Sequence, residues 1–487
     1  MVGSIGWPVL RCMRLAGGMN SKGHFGGPIR LLIKIGHICG FRKALQPADF
    51  EEGQKYRVIG NLTTMKTFSD IAISMPLPFM KKIFLFSALS LTYALTTAQN
   101  ALPASWKAYL IRQDSIPVIF TLQSGKENGH SVLYVPNTSE KITIKQVRVT
   151  KDSVNFSMPV FESAFLSKKN TDGSLEGTWT KGTGAGFQVW PFYAYPEKAS
   201  LLKTGQAKAN LSGKWDVTIT RQNGTLRKAV AVFNQQQNQL SGTFLTPSGD
   251  YRYLEGNQTA DSLRLYAFDG SHAFLFTAKV DDANTLSGGL FYSGNNGKEK
   301  WVAIRNESVP LPAQDQPTQL REGESRLAFR FNDLNGKQVS ILDERFRNKV
   351  VIVQIMGSWC PNCMDETKFL SEYYHQNKSR GVEVVALAYE NSTDIERSKK
   401  SLRKFQQLFN VQYPMLITGA TASDDNKTEK TLPQLTPIRS FPTTIFIDRK
   451  GNVRNIKGVF YGPGSGIYFE DFKKEFYEQM DALLLEK

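Results

Sequence analysis

The chain has 487 residues, of which 41% are hydrophobic and 21% charged, with 39 glycines and 21 prolines. That length exceeds one ordinary domain and that apolar content excludes a disordered chain, so two or three globular domains are expected. Four cysteines, Cys12, Cys39, Cys360 and Cys363, are too few for a disulfide-stapled scaffold, and the five scattered histidines lack ligand spacing, so neither a metal site nor a cofactor is expected.

Residues 1–79 carry turn-prone clusters such as Gly26-Gly27-Pro28 and no sustained helical or strand period. They are expected to be an upstream extension from a start assigned too early, with Met80 as the true beginning. From Met80, Lys81-Lys82 precede the uncharged run Ile83–Ala98, which ends in small residues. A basic start, an apolar middle and a small-residue exit predict a secretory signal peptide over 80–98. Several Ser and Thr interrupt the run, and it is shorter than the ~20 apolar residues of a spanning helix, so an uncleaved anchor is the lesser reading. Export to the periplasm or cell envelope is therefore expected.

The 60 basic against 44 acidic residues give +16. The first 98 residues hold twelve of the basic and four of the acidic ones, so half of the excess lies in them. The remainder is modest and spread out, and no nucleic-acid partner is expected. The densest run, Lys399-Lys400 with Arg403-Lys404, reads as the solvated face of a helix.

Residues 99–308 read as all-β. Short alternating runs bounded by Gly, Asn and Asp predict strands at Val118–Leu122, Ser131–Val135, Ile142–Val149, Trp215–Thr220, Ala229–Phe233 and Leu263–Tyr266. Phrases recur: Asp152-Ser-Val154, Ala164-Phe-Leu166 and Leu175-x-Gly177 are echoed by Asp261-Ser-Leu263, Ala273-Phe-Leu275 and Leu286-x-Gly288. Leu-x-Gly-x-aromatic opens at Leu175, Leu211 and Leu240. The expectation is one antiparallel barrel or sandwich, or two similar β-units. Asp269-Gly-Ser271-His272 holds the residue types of a hydrolase triad, but the expectation is a turn entering a strand, with no relay. Trp190, Phe192, Tyr193 and Tyr195 are expected to pack in a core or between domains, although they could line a groove for an unknown ligand or partner.

Three prolines between 309 and 324 predict a linker, and residues 325–487 then change grammar. The strand Val350–Ile355, apolar but for Gln354, runs into Trp359-Cys360-Pro361-Asn362-Cys363 and a helical pattern; Val382–Ala388 makes a second strand, and Thr393-x-x-Glu396 predicts a capping box. Thr443–Ile447, the turn Asp448–Gly451 and Val453 predict a hairpin, and Phe472, Phe476, Met480 and Leu483 one face of a closing helix. Two cysteines at i and i+3, after a buried strand and at a helix start, form a redox arrangement, because no second pair of ligands exists for zinc. Backbone N–H groups at the helix start favour an anion at Cys360, and Cys363 one turn deeper can close the disulfide.

On these residues the segment 325–487 resembles the thioredoxin fold and, within it, the exported TlpA/ResA-like thiol–disulfide oxidoreductases. Trp359-Cys-Pro-Asn-Cys363 is similar to the redox motif, and Phe441-Pro442-Thr443-Thr444 to the cis-proline loop that faces it. The resemblance implies catalytic roles for Cys360, Cys363, Pro442 and Glu366, a redox-active Cys360–Cys363 disulfide, and Trp359, Pro361, Asn362, Phe441 and Thr443 as neighbours. It also implies disulfide-containing protein substrates and a membrane thiol-reductant donor. Two departures stand out: Gln354 occupies the position of thioredoxin's buried acid, which shifts proton transfer to Glu366, and proline follows the first cysteine directly. A peroxiredoxin-like peroxidase is the alternative, although Gly357 stands where its threonine would. A β-domain binding protein with an accessory redox domain is another.

Overall fold

The structure is a computed structural model that describes residues 102–197 and 206–486. The expected extension and signal peptide lie outside the described residues. Residues 102–487 cluster as one compact unit.

Two nine-stranded antiparallel sheets account for residues 105–305. In the first, the opening strand Ser105–Ile111 pairs with both its successor Pro117–Glu127 and the ninth strand Gly186–Pro196. The second repeats this: Gly213–Thr220 pairs with Leu226–Gln236 and with the ninth strand Gly297–Arg305. Counted within each unit, the orders are 4-3-2-1-9-8-7-6-5 and 2-1-9-8-7-6-5-3-4. In the second unit, strands two and three also pair, Leu226–Gln236 against Gln239–Thr246, so the sheet closes on itself as a barrel. The first stays open. The recurring phrases fall on equivalent strands, the sixth to eighth of each unit, so the sequence repeat is a repeat of topology.

The Leu-x-Gly-x-aromatic phrase has a steric cause. A Cβ on Gly177 would sit 1.9 Å from the Leu166 carbonyl oxygen, and one on Gly242 2.1 Å from that of Val232. The neighbouring strand crosses where only glycine leaves room. Two residues on, Trp179 and Phe244 fill the cores, and Trp179 Nε1 donates to Ser163 Oγ at 2.6 Å. Trp190 and Phe192 are core residues, whereas Tyr195 is 52% exposed, as alternation along one strand requires. Trp190 Nε1 also donates to Asn295 Oδ1 of the second unit at 2.6 Å.

One predicted strand is corrected. Ile142–Val149 breaks at Lys145-Gln146 into Glu140–Ile144 and Val147–Val149, which lie at opposite edges of the open sheet. The apolar alternation continues through the crossing, so periodicity alone could not reveal the break.

The C-terminal sheet has seven strands in the order Gln338–Ser340, Arg330–Asp333, Met415–Ile417, Val382–Ala388, Val350–Met356, Thr443–Ile447, Val453–Lys457. Val350 to Met356 are buried throughout and alternate between two cores. Val350 and Ile352 meet Leu370, Phe476, Met480 and Leu483 from the helices Pro361–Asn377 and Ile467–Leu485, and Val351, Val353 and Ile355 meet Leu432, Leu435 and Ile438. A strand covered on both faces is apolar along most of its length, and its one polar residue, Gln354, is buried with its amide bonded to Glu366 and Thr367. The helix Ile395–Leu408 is capped by Asp394, whose carboxylate accepts from Glu396 N and Arg397 N, and not by Thr393 as expected. Asp is as good a cap as Thr and stands one residue nearer the helix.

The β-units grip this domain at two places. Arg252 of the barrel sends Nε and Nη2 to the Asp365 carboxylate at 2.8 and 2.9 Å, and Nη2 also to Glu140 at 2.6 Å. On the other side Arg397 forks onto Glu162, its Nη2 at 2.7 Å, and Lys404 Nζ donates to the Phe161 carbonyl at 3.1 Å. The basic run on that helix is thus partly a clamp and not wholly a solvated face, and its grip seats Val160 and Phe161 in the core around Cys360 and Cys363. The proline-rich stretch runs beside the loop before Pro442: Thr318 Oγ1 donates to the Pro437 carbonyl, and Gln314 Nε2 to that of Gly458.

Removing one partner of a buried ion pair strands the other charge. Arg252→Met should lower unfolding stability in a denaturant titration by about 3–5 kcal/mol, and Arg252→Met/Asp365→Leu should recover most of that. A double variant no better than the single one would mean that the stranded carboxylate is not the cause.

Candidate functional site

The buried strand Val350–Met356 ends at Gly357, and the helix begins at Pro361, whose fixed φ suits a first helical position. Cys360 is the N-cap, and its Sγ accepts from Cys363 N at 3.3 Å. This is a sulfur taking the place of the usual capping oxygen on a free helix-start N–H. Both thiols are unbridged. Cys360 is 5% exposed and Cys363 not at all. Burial pushes the Cys363 thiol well above its ordinary value, helped by its bond to Cys360.

Trp359 is held by Nε1 donating to the Tyr389 carbonyl at 2.9 Å and packs edge-on to Phe441. The Phe441–Pro442 bond is cis, and the Cys360 thiol lies 3.5 Å from the Phe441 carbonyl oxygen. Pro442 therefore stands beside the thiols. Thr443 turns its hydroxyl to the Ser440 carbonyl at 2.8 Å and ties the loop down. Asn362 is buried and points its amide at the Phe460 carbonyl, 3.5 Å away.

Glu366, one turn beyond Cys363, is buried. Gln354 Nε2 donates to its Oε2 at 2.8 Å and Thr444 Oγ1 to its Oε1 at 2.6 Å, while Gln354 Oε1 accepts from Thr367. Burial pushes Glu366 up to about 7 against the pull of those two bonds. Gln354, in the place of an acid, is a neutral donor that orients the carboxyl.

Three features escaped the sequence reading. Glu390, pushed by burial to about 7, accepts from both N and Oγ of Ser358, just before the cysteines. Nothing in its local sequence marks it as buried. Asp250, pushed by burial and then by the charge of Asp365 to about 6, accepts from Gly462 N. Asp269 and His272 form the expected turn, with Ser271 N and His272 N donating to Asp269 Oδ1, yet their side chains also meet, Oδ2 to Nδ1 at 3.1 Å. Residues i and i+3 of a turn share a side, so Asp269 and His272 pair, but Ser271 joins them through its backbone N–H and not as the hydroxyl of a relay. Burial holds His272 below its ordinary value.

Asp250, Asp269, His272 and Cys360 border a cleft of about 430 Å³, whereas Glu366 and Glu390 lie outside its lining. Trp359, Cys360, Pro361 and Phe441 form one wall; Tyr251, Arg252, His272 and Phe274 of the barrel form the other.

Residues 321–466 match the family model described as Redoxin. The thiol-disulfide oxidoreductase ResA of Bacillus thuringiensis subsp. konkukian (strain 97-27) is 29% identical over 131 residues, 27% of this chain and 66% of the relative. ResA of Bacillus subtilis (strain 168) is 26% identical over 134 residues, 28% of this chain and 65% of the relative. The chain thus spans just under two thirds of the length of these relatives. A solved thiol-disulfide oxidoreductase from Bacteroides fragilis NCTC 9343 is 19% identical with a TM-score of 0.23, over 31% of this chain and 99% of that one. With its two-faced sheet, paired thiols and matching family model, the C-terminal part of the chain is a thioredoxin-like Redoxin domain, carried behind two β-units.

Proposed function

We propose that the protein is an exported thiol–disulfide oxidoreductase that reduces protein disulfides in the bacterial cell envelope through Cys360 and Cys363. The observation that carries this reading is the pairing of two unbridged thiols at a helix start with a buried carboxyl one turn on, poised near pH 7.

The Cys360 thiolate attacks one sulfur of a substrate disulfide, forming a mixed disulfide and releasing the other sulfur as a thiolate. Cys363 must then lose its proton to attack Cys360 Sγ. Its own burial opposes that loss, so a nearby base is needed. Glu366 fills the need: three residues on, it lies on the same helical face, and with a value of about 7 it exists in part as the carboxylate. Closure of the Cys360–Cys363 disulfide releases the second substrate thiol, and two electrons have passed to the substrate. A membrane thiol donor returns them. The peroxidase reading is disfavoured at Gly357, where any Cβ would meet the Trp359 ring at 2.2 Å. A threonine there would displace the indole beside the nucleophile.

In a Cys363→Ser variant the mixed disulfide on Cys360 should accumulate and be visible on non-reducing gels from cells. If no adduct is trapped, exchange through Cys360 fails as a mechanism. Glu366→Gln should slow resolution of a preformed mixed disulfide about 10²-fold or more and remove the rise in rate through pH 7; an unchanged pH profile would exclude Glu366 as the base. The same variant has a stability signature. Because the folded value of Glu366 is raised, its contribution is full below about pH 4.5 and is lost as pH rises through about 7. Wild type should therefore lose on the order of 3 kcal/mol more than Glu366→Gln over that window in paired denaturant titrations.

A further inference from the structure

Cys360 is almost fully buried, and the cleft it borders is walled on its far side by the barrel of the second β-unit. That wall is fixed. Arg252 is locked onto Asp365, the Tyr461 hydroxyl donates to the Thr246 carbonyl at 3.0 Å, and Gly462 N donates to Asp250. Swinging the barrel away would break that ion pair and both hydrogen bonds and expose the apolar cluster of Val230, Leu245 and Tyr461. A volume of about 430 Å³ falls in the range of clefts that hold small ligands, ~300–1,000 Å³. The surface of a folded protein cannot bring its disulfide to the floor of such a cleft, but a slender chain can. The walls suit one. Trp359, Phe441, Tyr251 and Phe274 offer aromatic faces, and two lining arginines hold buried donors with no partner among the described residues, Arg227 Nε and Arg252 Nη1. Peptide carbonyls are acceptors of the kind such donors take.

We propose that this cleft is the substrate site and that it selects disulfides carried on short or unfolded peptide segments over those on folded protein surfaces. The proposal rests on the oxidoreductase reading above and names its substrate class. Chemically the step is the exchange already described: the Cys360–S bond to the peptide forms as the peptide's S–S bond breaks, and the departing sulfur leaves as a thiolate within the cleft.

The test uses the reduced full chain with two probes, an eight-residue peptide closed by an internal disulfide and the same loop displayed on a folded host protein. The free peptide should be reduced with a kcat/KM at least about tenfold higher. Ser248 lines the cleft and is exposed, so Ser248→Trp should fold while narrowing the entrance. It should lower kcat/KM for the peptide about tenfold, while iodoacetamide, a far smaller probe, still alkylates Cys360. Equal rates for both probes, or a peptide rate indifferent to Ser248→Trp, would overturn the cleft proposal and leave the redox reading standing. Reduction of neither probe by a chain whose Cys360 remains alkylatable would instead overturn the redox reading.

Discussion

The contact on which the rest of the molecule depends is the fork of Arg252 onto Asp365. Arg252 stands at a positive φ of 54° in a barrel turn, a conformation that side chains other than glycine's seldom adopt, and it is buried with its partner. Asp365 is two residues past Cys363 on the redox helix, so the pair couples barrel position to thiol position within one helical turn. Taking both charges out of water costs several kcal/mol per ion, and good geometry offsets that cost without much surplus. Such a contact is a poor source of stability but a demanding one in geometry: it is satisfied in one docking arrangement and penalised in every other. The cleft and the Gly462 bond to Asp250 both presuppose it.

Around that contact the site gathers carboxyls that burial has made reluctant to ionise. Asp250, Glu366 and Glu390 are drawn toward neutrality, at about 6, 7 and 7. Each sits within hydrogen-bonding reach of donors that orient it, so burial and orientation act in opposition and leave the proton shared over the physiological range. Only Glu366 lies on the face of Cys363. The other two hold backbone: Glu390 the loop before Cys360, Asp250 the segment after Phe460.

Most of the redox domain was legible in the sequence because its signals are local. The two-faced strand Val350–Met356, the helix started by Pro361, the hairpin at Thr443 and the stripe Phe476, Met480, Leu483 all follow from periodicity or turn chemistry within a few residues. The duplicated β-units were legible through their repeated phrases, since glycines forced by strand crossing recur wherever the crossing recurs. What escaped was long-range. Asp365 reads as a surface acid at a helix start until Arg252, over a hundred residues earlier, is seen beside it. Lys404 reads as solvated until the Phe161 carbonyl is placed. The break at Lys145-Gln146 is decided by whether a sheet closes, which no window of a few residues contains.

The difference between the two β-units bears on what can happen at the thiols. The barrel that walls the cleft is closed, every strand of its ring hydrogen-bonded on both sides, and only the two-residue strand Gly249–Asp250, paired to Gln239–Thr246 alone among the described residues, stands outside the ring. The open sheet does have edges, Glu140–Ile144 and Val147–Val149, with Lys141, Lys145 and Arg148 along or between them, a charge pattern that resists adventitious pairing. An extended peptide in the cleft proposed above would therefore find the ring strands already paired, with two residues of backbone, Gly249–Asp250, as the one short edge the described barrel turns toward it.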